Sequence, residues 1–460
     1  MLSLLGACAA VGPDYQAPTA DVAATALPSA SGVALRADAT AQFWWREVKD
    51  TRLTQLVESA LAANYDIAIA AANLEAARAQ LRETSLNRLP DITGSASTER
   101  SREARVPGVP RETQSPSTVS ANLSWELDLF GRLRRQTEAR RANADAAAAL
   151  LADAQRLIAA DVALAYADLR EAQVRRAVAQ RNRQNQRRTV EITQTQFDAG
   201  STDRLNLLRA QSQLQTTEAS LPTYAASERG ALNRLTTLTA RAPGALDATL
   251  KSGTGFPSLP GVITAGNVPA LLRARPDIRA AERDLARATA EIGVSTADLF
   301  PTLSVTGRLG RSGADPAGLG RSGSSFFGVG PSVTVALFDR NEIHARIAQS
   351  RAAADGALAT YQSRVVEALS EADTALSDYA QQGRRTVLLG RAVASAREAS
   401  ALARVQFEVG TEPLQTLLDT ENTQLVAEDA QAAAQAERLR ALIRVYRAFA
   451  IGPVATAPAG

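Results

Sequence analysis

Four short stretches of the chain alternate apolar and polar residues with a period of two, the spacing that puts one kind of side chain on each face of a strand. In the clearest, Val119, Ala121, Leu123, Trp125, Leu127 and Leu129 are interleaved with Ser120, Asn122, Ser124, Glu126 and Asp128. Leu303, Val305 and Leu309 alternate with Thr302, Ser304, Thr306 and Arg308, while Val329, Val333, Val335 and Leu337 alternate with small or hydroxyl residues. Ile92, Gly94 and Ala96 against Thr93, Ser95 and Ser97 form a weaker fourth stretch. Their lengths approach the roughly 9 to 11 residues that a tilted membrane strand needs. The Gly-, Pro- and Ser-rich segments inside each pair, around Pro107, Pro110 and Pro116 and over residues 310–325, suit hairpin loops. Gly318-Leu319-Gly320-Arg321-Ser322-Gly323 spells a dinucleotide fingerprint, yet it lies between strands and opens no helix, so the context for phosphate binding is missing.

Elsewhere the pattern is helical. Residues 132–199 contain neither Gly nor Pro and are rich in Ala, Arg, Gln, Glu and Leu, which predicts one continuous helix of about 100 Å. Leu150, Leu157 and Leu164 recur every heptad beside Leu151 and Ile158, predicting a coiled-coil seam. Residues 342–409 carry Gly356, Gly383 and Gly390 but no proline, and residues 414–451 carry neither breaker. These elements form a duplication: Asp66-Ile67 returns as Asp277-Ile278, Leu89-Pro90 as Phe300-Pro301, Leu129-Phe130 as Leu337-Phe338, and Phe197-Asp198-Ala199-Gly200 as Phe407-Glu408-Val409-Gly410. The offset stays at about 210 residues, and each half reads helix, strand, loop, strand, long helix, turn, helix. Gly200 and Gly410 are placed as left-handed helix caps, Ser201, Thr202 and Thr411 as N-caps of the returning helices, and Pro413 in a first helical turn.

Composition narrows the function classes. The net charge of this 460-residue chain is only +3, and although the pI is near 9.2, acidic and basic residues are interleaved, so no basic run tracks a phosphate backbone and nucleic acid is not an expected partner. The single cysteine, Cys8, excludes an internal disulfide framework, and Leu5-Gly6-Ala7-Cys8 matches a lipoprotein cleavage box, so a covalent lipid at Cys8 is the one attached group expected and no other cofactor is. No later run of about 18 uncharged apolar residues predicts a membrane helix. Catalytic and metal-binding readings find no support: the only histidine, His344, has no Cys or clustered acid at ligand spacing, and Glu371 and Asp373, two apart, do not share a helix face.

Four membrane strands leave two unpaired edges, and hydrocarbon offers those backbone groups no water. One chain therefore cannot close a barrel. Small barrels need at least about eight strands, so a dimer would reach that number and a trimer would reach about twelve, with room for cargo. The polar strand face would then line water, and the helices, too polar for lipid, would continue the tube. Two alternatives stay open: a periplasmic coiled-coil scaffold lipoprotein without a channel, and a surface adhesin trimer, which would lack the duplication.

Several short motifs together carry a resemblance: Val11-Gly12-Pro13-Asp14-Tyr15 and Pro18; Phe43-Trp44-Trp45 followed by Asp50, Leu53 and Leu56; Leu271-Leu272 with Arg275-Pro276-Asp277-Ile278 and Glu282; Phe300-Pro301; and the turns at Gly200 and Gly410. The chain resembles, over nearly its whole length, the TolC-like outer-membrane factors of tripartite efflux systems, in the NodT-type lipoprotein branch. The resemblance implies an α+β membrane protein: a homotrimer with a twelve-stranded outer-membrane β-barrel, four strands per chain, continued by a twelve-helix periplasmic α-barrel. It implies a signal remnant over residues 1–8, an extended N-terminal segment over 9–50, repeat 1 over 51–245, a linker over 246–268, repeat 2 over 269–452 and a tail over 453–460. It implies as partners outer-membrane lipid, a periplasmic membrane-fusion adaptor and an inner-membrane pump, with docking at the tips formed by Gly200, Ser201, Thr202, Gly410 and Thr411. It also places a periplasmic gate at Asp419, with Gln415 and Leu414 beside it; three copies of Asp419 would form a ring of like charge that opens by helix rearrangement.

Overall fold

The computed structural model describes residues 10–18, 27–36, 43–102, 113–251, 255–264, 271–272 and 274–449. Cys8, Pro107, Pro110 and residues 450–460 lie outside the described residues. Two compact units emerge, one from residues 1–20, 72–148 and 279–363 and the other from 21–71, 149–278 and 364–460. Each draws on both halves of the sequence, so the compact units and the internal duplication divide the chain differently.

The duplication is close enough to be read in element lengths. Helices α2 (Tyr65–Leu86) and α6 (Pro276–Ala297) both have 22 residues. The long helices α3 (Arg132–Asp198) and α7 (Arg340–Glu408) have 67 and 69, and the returning helices α4 (Arg204–Leu238) and α8 (Leu414–Ala448) both have 35. At 1.5 Å per residue α3 and α7 are each about 100 Å long. Gly356, Gly383 and Gly390 do not interrupt α7; the last two leave space for Arg438 and Gln431 of α8, whose side-chain nitrogens stand 3.8 and 3.4 Å from where a Cβ would be.

In the first unit a four-stranded antiparallel sheet is made from β2 (Asp91–Thr98), β5 (Ser117–Leu127), β7 (Thr302–Gly313) and β8 (Ser325–Thr334), in the order β2-β5-β7-β8. Short pieces β3 (Ser101–Arg102) and β4 (Thr113–Gln114) pair separately. Strand β7 runs four residues further, to Gly313, than a loop beginning at Gly310 would allow. The glycine there is a packing device: a Cβ would stand 2.3 Å from the Val119 carbonyl oxygen and 2.8 Å from the Phe326 ring. Below the sheet the segment after Ala10 is strapped down. Arg135 donates from Nε to the Val11 carbonyl (3.1 Å) and from Nη2 to the Gly12 carbonyl (3.2 Å) and Asp14 (2.6 Å), Val11 N–H donates to the Phe130 carbonyl (3.0 Å), and Tyr15 donates to Glu282 (2.8 Å). Phe130 and Phe300, one from each half of the duplication, stack with centroids 4.7 Å apart.

The second unit is a helical body with a dense aromatic and polar centre. Asp50 caps α1 (Thr51–Ala63), accepting from Arg52 and Leu53 N–H, and its other oxygen accepts from Tyr166 (2.6 Å). Trp44 and Trp45 are fully buried, Trp44 stacked on Tyr446 at 4.9 Å. Arg275 is buried with donors to Asp277, Glu371 (2.8 Å) and the Ala448 carbonyl (3.0 Å). A parallel pair of β1 (Leu35–Arg36) and β6 (Ile263–Thr264) and a single turn, α5 (Asp247–Leu250), complete the unit.

The leucine seam on α3 is only partly covered within the chain: Ile158 is buried and Leu151 is half-buried. Leu150 is 53% exposed and Leu157 and Leu164 are half-buried, whereas Ala159, Ala160, Val162, Ala163, Ala165, Tyr166, Ala167 and Leu169 are buried. Alanine lets neighbouring backbones approach on several sides at once, so α3 is enclosed there by a broad small-residue surface, and a narrow leucine stripe is not the face it buries.

Candidate functional site

The strand register sorts the sheet into two faces. On one, Ile92, Leu123, Gly307 and Val329 form a row across the sheet, followed by Gly94, Ala121, Leu309 and Phe327, then Trp125, Val305 and Pro331, then Leu127, Leu303 and Val333. Opposite them run Thr93, Asn122, Arg308 and Gly328, then Ser97, Thr118 and Ser312, then Ser124, Thr306 and Gly330. On the apolar face Ile92, Leu309, Phe327, Val329 and Val333 are exposed, and Leu123, Trp125, Leu303 and Val305 are half-buried. The polar face carries hydroxyl ladders, including Ser95 to Ser120 at 2.9 Å and Thr118 to Ser312 at 3.3 Å, and an Arg308 guanidinium over the Phe326 ring. Among the described residues, strands β2 and β8 each have a partner on one side only. Such a sheet is wet on one face, greasy on the other and open at both edges. Among the described residues no helix is long and apolar enough to cross a membrane.

The two turns at the far ends of the long helices are one device used twice. After α3, Gly200 N–H donates to the Phe197 carbonyl (2.9 Å) and Ser201 N–H to Gln196 (2.9 Å); after α7, Gly410 N–H donates to Phe407 (3.0 Å) and Thr411 N–H to Gln406 (2.9 Å). This is the Schellman pattern, with φ of +71° at Gly200 and +78° at Gly410. The hydroxyls of Ser201 and Thr411 donate back to the Gln196 and Gln406 carbonyls (2.9 and 3.1 Å). They therefore close the outgoing helices and are not N-caps of the returning ones. That cap is Asp203 for α4, accepting from Asn206 N–H, while Thr202 accepts from the Asn206 amide; Pro413 is itself the cap residue of α8, extended at ψ 153° and one position ahead of the first turn. The left-handed glycine folds the chain back over the last helical turn, which brings the hydroxyl that follows it to the open carbonyl five residues earlier.

Asp419 is exposed near the start of α8, and its carboxylate accepts from the Gln415 amide (3.0 and 3.1 Å). Leu414 lies elsewhere: it is 5% exposed, packed with Ala210, Ala403, Phe407, Leu417 and Leu418 in the hydrophobic core of the tip. Of the gate residues placed by resemblance, Gln415 and Asp419 stand together on the surface and Leu414 is taken up by packing.

Buried charge near the tip was not legible as a site. Three polar pairs, each one heptad apart, meet on three helices: Asn182 and Thr189 of α3, Arg397 and Arg404 of α7, Glu421 and Glu428 of α8. Glu428 accepts from Arg397 (2.6 Å), Gln424 (3.2 Å) and Asn182 (3.3 Å). Burial opposes its charge, but these donors and the Arg397 charge outweigh burial and hold the carboxyl below the usual glutamate range. Glu421 accepts from Arg404 and from Thr189 (3.0 Å) through one oxygen, and the other, Oε2, is buried without a partner. Here burial prevails and pushes the carboxyl above the usual range. The heptad spacing of Glu421 with Glu428 and of Arg397 with Arg404 is the sequence signal that could have found the pair. His344 is exposed near the start of α7, and among the described residues no group of three or more His, Cys, Asp or Glu could hold a metal ion.

Comparison with known proteins agrees with this geometry. Residues 56–241 and 267–450 match the family described as outer membrane efflux protein. The chain is 31% identical over 460 residues to Nodulation protein T of Rhizobium leguminosarum bv. trifolii, covering 99% of this chain and 97% of that one, and 28% identical to outer membrane protein OprJ of Pseudomonas aeruginosa, covering 97% and 94%. Among solved structures, the outer-membrane channel OprN superposes with a TM-score of 0.90 at 38% identity, covering 96% of this chain and 99% of that one. The open state of the MtrE outer membrane channel of Neisseria gonorrhoeae does so with 0.86 at 27%, covering 97% and 99%. A sheet with one apolar face, paired helices about 100 Å long and two matching tips are thus features of a chain that belongs to the outer membrane efflux protein family and serves as an outer-membrane efflux channel.

Proposed function

We propose that three copies of this chain join sheet edge to sheet edge into one barrel, that the long helices continue the conduit into the periplasm, and that the channel passively conducts small molecules delivered by an inner-membrane pump. The observation that carries the reading is the four-stranded sheet, apolar on one face, whose outer strands β2 and β8 are each left with one open edge among the described residues. In a bilayer each unsatisfied backbone group costs several kcal/mol, so the edges must meet another copy. The Schellman turns at Gly200 and Gly410 are the surfaces offered to a periplasmic membrane-fusion adaptor, with Ser201, Thr202 and Thr411 beside them. Asp419, oriented by Gln415, supplies the resting constriction, and Cys8 carries an N-terminal lipid. The family match supports a non-catalytic role.

Fractionation tests the assembly. The protein should resist salt and alkali extraction from envelopes, need detergent for release, run as a trimer and conduct ions in planar bilayers. Release by salt as a non-conducting species would support the coiled-coil scaffold instead. Cys8→Ala should abolish incorporation of labelled acyl chains, and unchanged labelling would remove the lipid anchor. Asp419→Ala should raise single-channel conductance, and an unaltered closed state would remove the gate role.

A further inference from the structure

The two heptad storeys near the tip are built alike and satisfied differently. Glu428 is a completed clamp. Glu421, whose side chain is 3% exposed, has both of its hydrogen bonds on Oε1 and nothing on Oε2. Arg404 of α7 is the charged group that faces it; α3 presents Thr189, and the nearby α3 charge Arg187 is engaged by Glu218 of α4 (2.7 Å). On α4 the neighbour of this region is Gln213, bonded to Asn422, and on α8 itself Asp419 points outward to Gln415. The same stripe of α3 carries Gln186, buried with neither amide atom partnered. The layer thus holds a carboxylate that packing only half accommodates.

A buried ion pair is not automatically a fastener. Removing a carboxylate from water costs several kcal/mol, and attraction to a partner repays that only when the remaining lone pairs are satisfied. For Glu428 they are; for Glu421 they are not.

We propose that Glu421 is a positioning residue of the tip gate, acting as a proton-controlled release element: in its charged form it favours swinging the start of α8 away from α3 and α7 into water, and when protonated it favours the packed tip. This rests on the channel reading of the preceding subsection but not on the role of Asp419. The sign follows from linkage. A carboxyl whose pKa is higher packed than solvated binds its proton more tightly when packed, so acidification stabilises the packed tip. The window lies between the solvated glutamate pKa of about 4.3 and the raised value of the packed state. A fastening salt bridge would behave in the opposite way, loosening as acid discharges it.

The experiment uses the full-length lipidated trimer in planar bilayers, with the pH of the tip side lowered from about 7 to about 4.3, the solvated glutamate pKa. Wild-type open probability should fall at least about two-fold across that range. Glu421→Gln, a neutral isostere, should be low at both pH values and flat between them. Arg404→Met removes the attraction that favours the charged form, so the midpoint of the pH response should move upward, a shift that a purely structural defect would not produce. An open probability that rises on acidification, a Glu421→Gln channel that stays open, or an unmoved midpoint in Arg404→Met each overturns the proposal. The wild-type titration is repeated in Asp419→Asn, which removes the other tip carboxylate: the fall should persist there, and its loss overturns the proposal even where Glu421→Gln or Arg404→Met assembles poorly. Absence of any conductance would instead overturn the channel reading.

Discussion

Gly12 and Gly293 meet backbone to backbone: a Cβ on Gly12 would stand 2.5 Å from the Cα of Gly293, closer than side-chain carbons come. Gly12 also has a φ of +89°, and a Cβ on Gly293 would lie 2.7 Å from the Arg135 side chain that holds the N-terminal strap. Three constraints therefore converge on one crossing. Gly12→Ala and Gly293→Val are each expected to cost about 2–4 kcal/mol, measured as a lower melting temperature of the purified assembly. Gly94→Ala, where a Cβ meets nothing within 4 Å, should leave it within a degree or two of wild type.

The two sheet faces should respond oppositely to charge. Phe327→Arg puts a guanidinium among Leu309, Val329 and Ala121 on the apolar face and should cost about 2–4 kcal/mol if mid-bilayer, greatly reducing the membrane-inserted fraction. Thr306→Arg lies on the hydroxyl face and should insert normally. Equal losses in a membrane flotation assay would refute the assignment of faces.

At the tips, Gly200 and Gly410 have open space where a Cβ would go, so only the positive φ resists substitution. Ala at either position should cost about 1–2 kcal/mol, Asn less, and the two Ala effects should match. Hydrogen exchange of the Ser201 and Thr411 amides would report the loss, and unequal effects would show that the duplicated turns are not equivalent.

Glu428 should show the reverse of the behaviour assigned to Glu421. Its carboxyl is held below the usual glutamate range, so its stabilisation is complete above the unfolded pKa of about 4.3 and is lost as pH falls through the folded value. Glu428→Gln should destabilise the helical body by about 1–3 kcal/mol at neutral pH. That deficit should shrink below about pH 4.3, and chemical denaturation at two pH values would detect a deficit that stays constant instead.

Periodicity made the large elements legible. The absence of Gly and Pro over residues 132–199 predicts the helix found at Arg132–Asp198, and the alternation over residues 119–129 predicts a two-faced strand, which is found two residues earlier, at Ser117–Leu127. It misled where a residue type serves two ends. Gly310 read as a loop because glycine breaks strands, yet here it makes room for Phe326. Ser201 and Thr411 read as N-caps because hydroxyls favour that position, yet the preceding open carbonyls were nearer. The leucines at 150, 157 and 164 have the right spacing for a seam, but spacing does not say whether the partner lies in the same chain. The motif residues Tyr15, Asp50, Arg275 and Glu282 proved to be joints: Tyr15 to Glu282, Asp50 to Tyr166, Arg275 to Glu371. The Glu421 and Glu428 layer is hidden in the sequence because a buried charge on a long polar helix looks, in one dimension, like a solvated one.

The open outer edges of β2 and β8 have a genetic consequence. A polypeptide that arrives with an unfinished ribbon cannot enter the bilayer before it has found its companions, so pore output should fall more steeply than in proportion when expression drops. A defective copy would spoil every complex that recruits it, making edge-strand mutations dominant over a functional second allele.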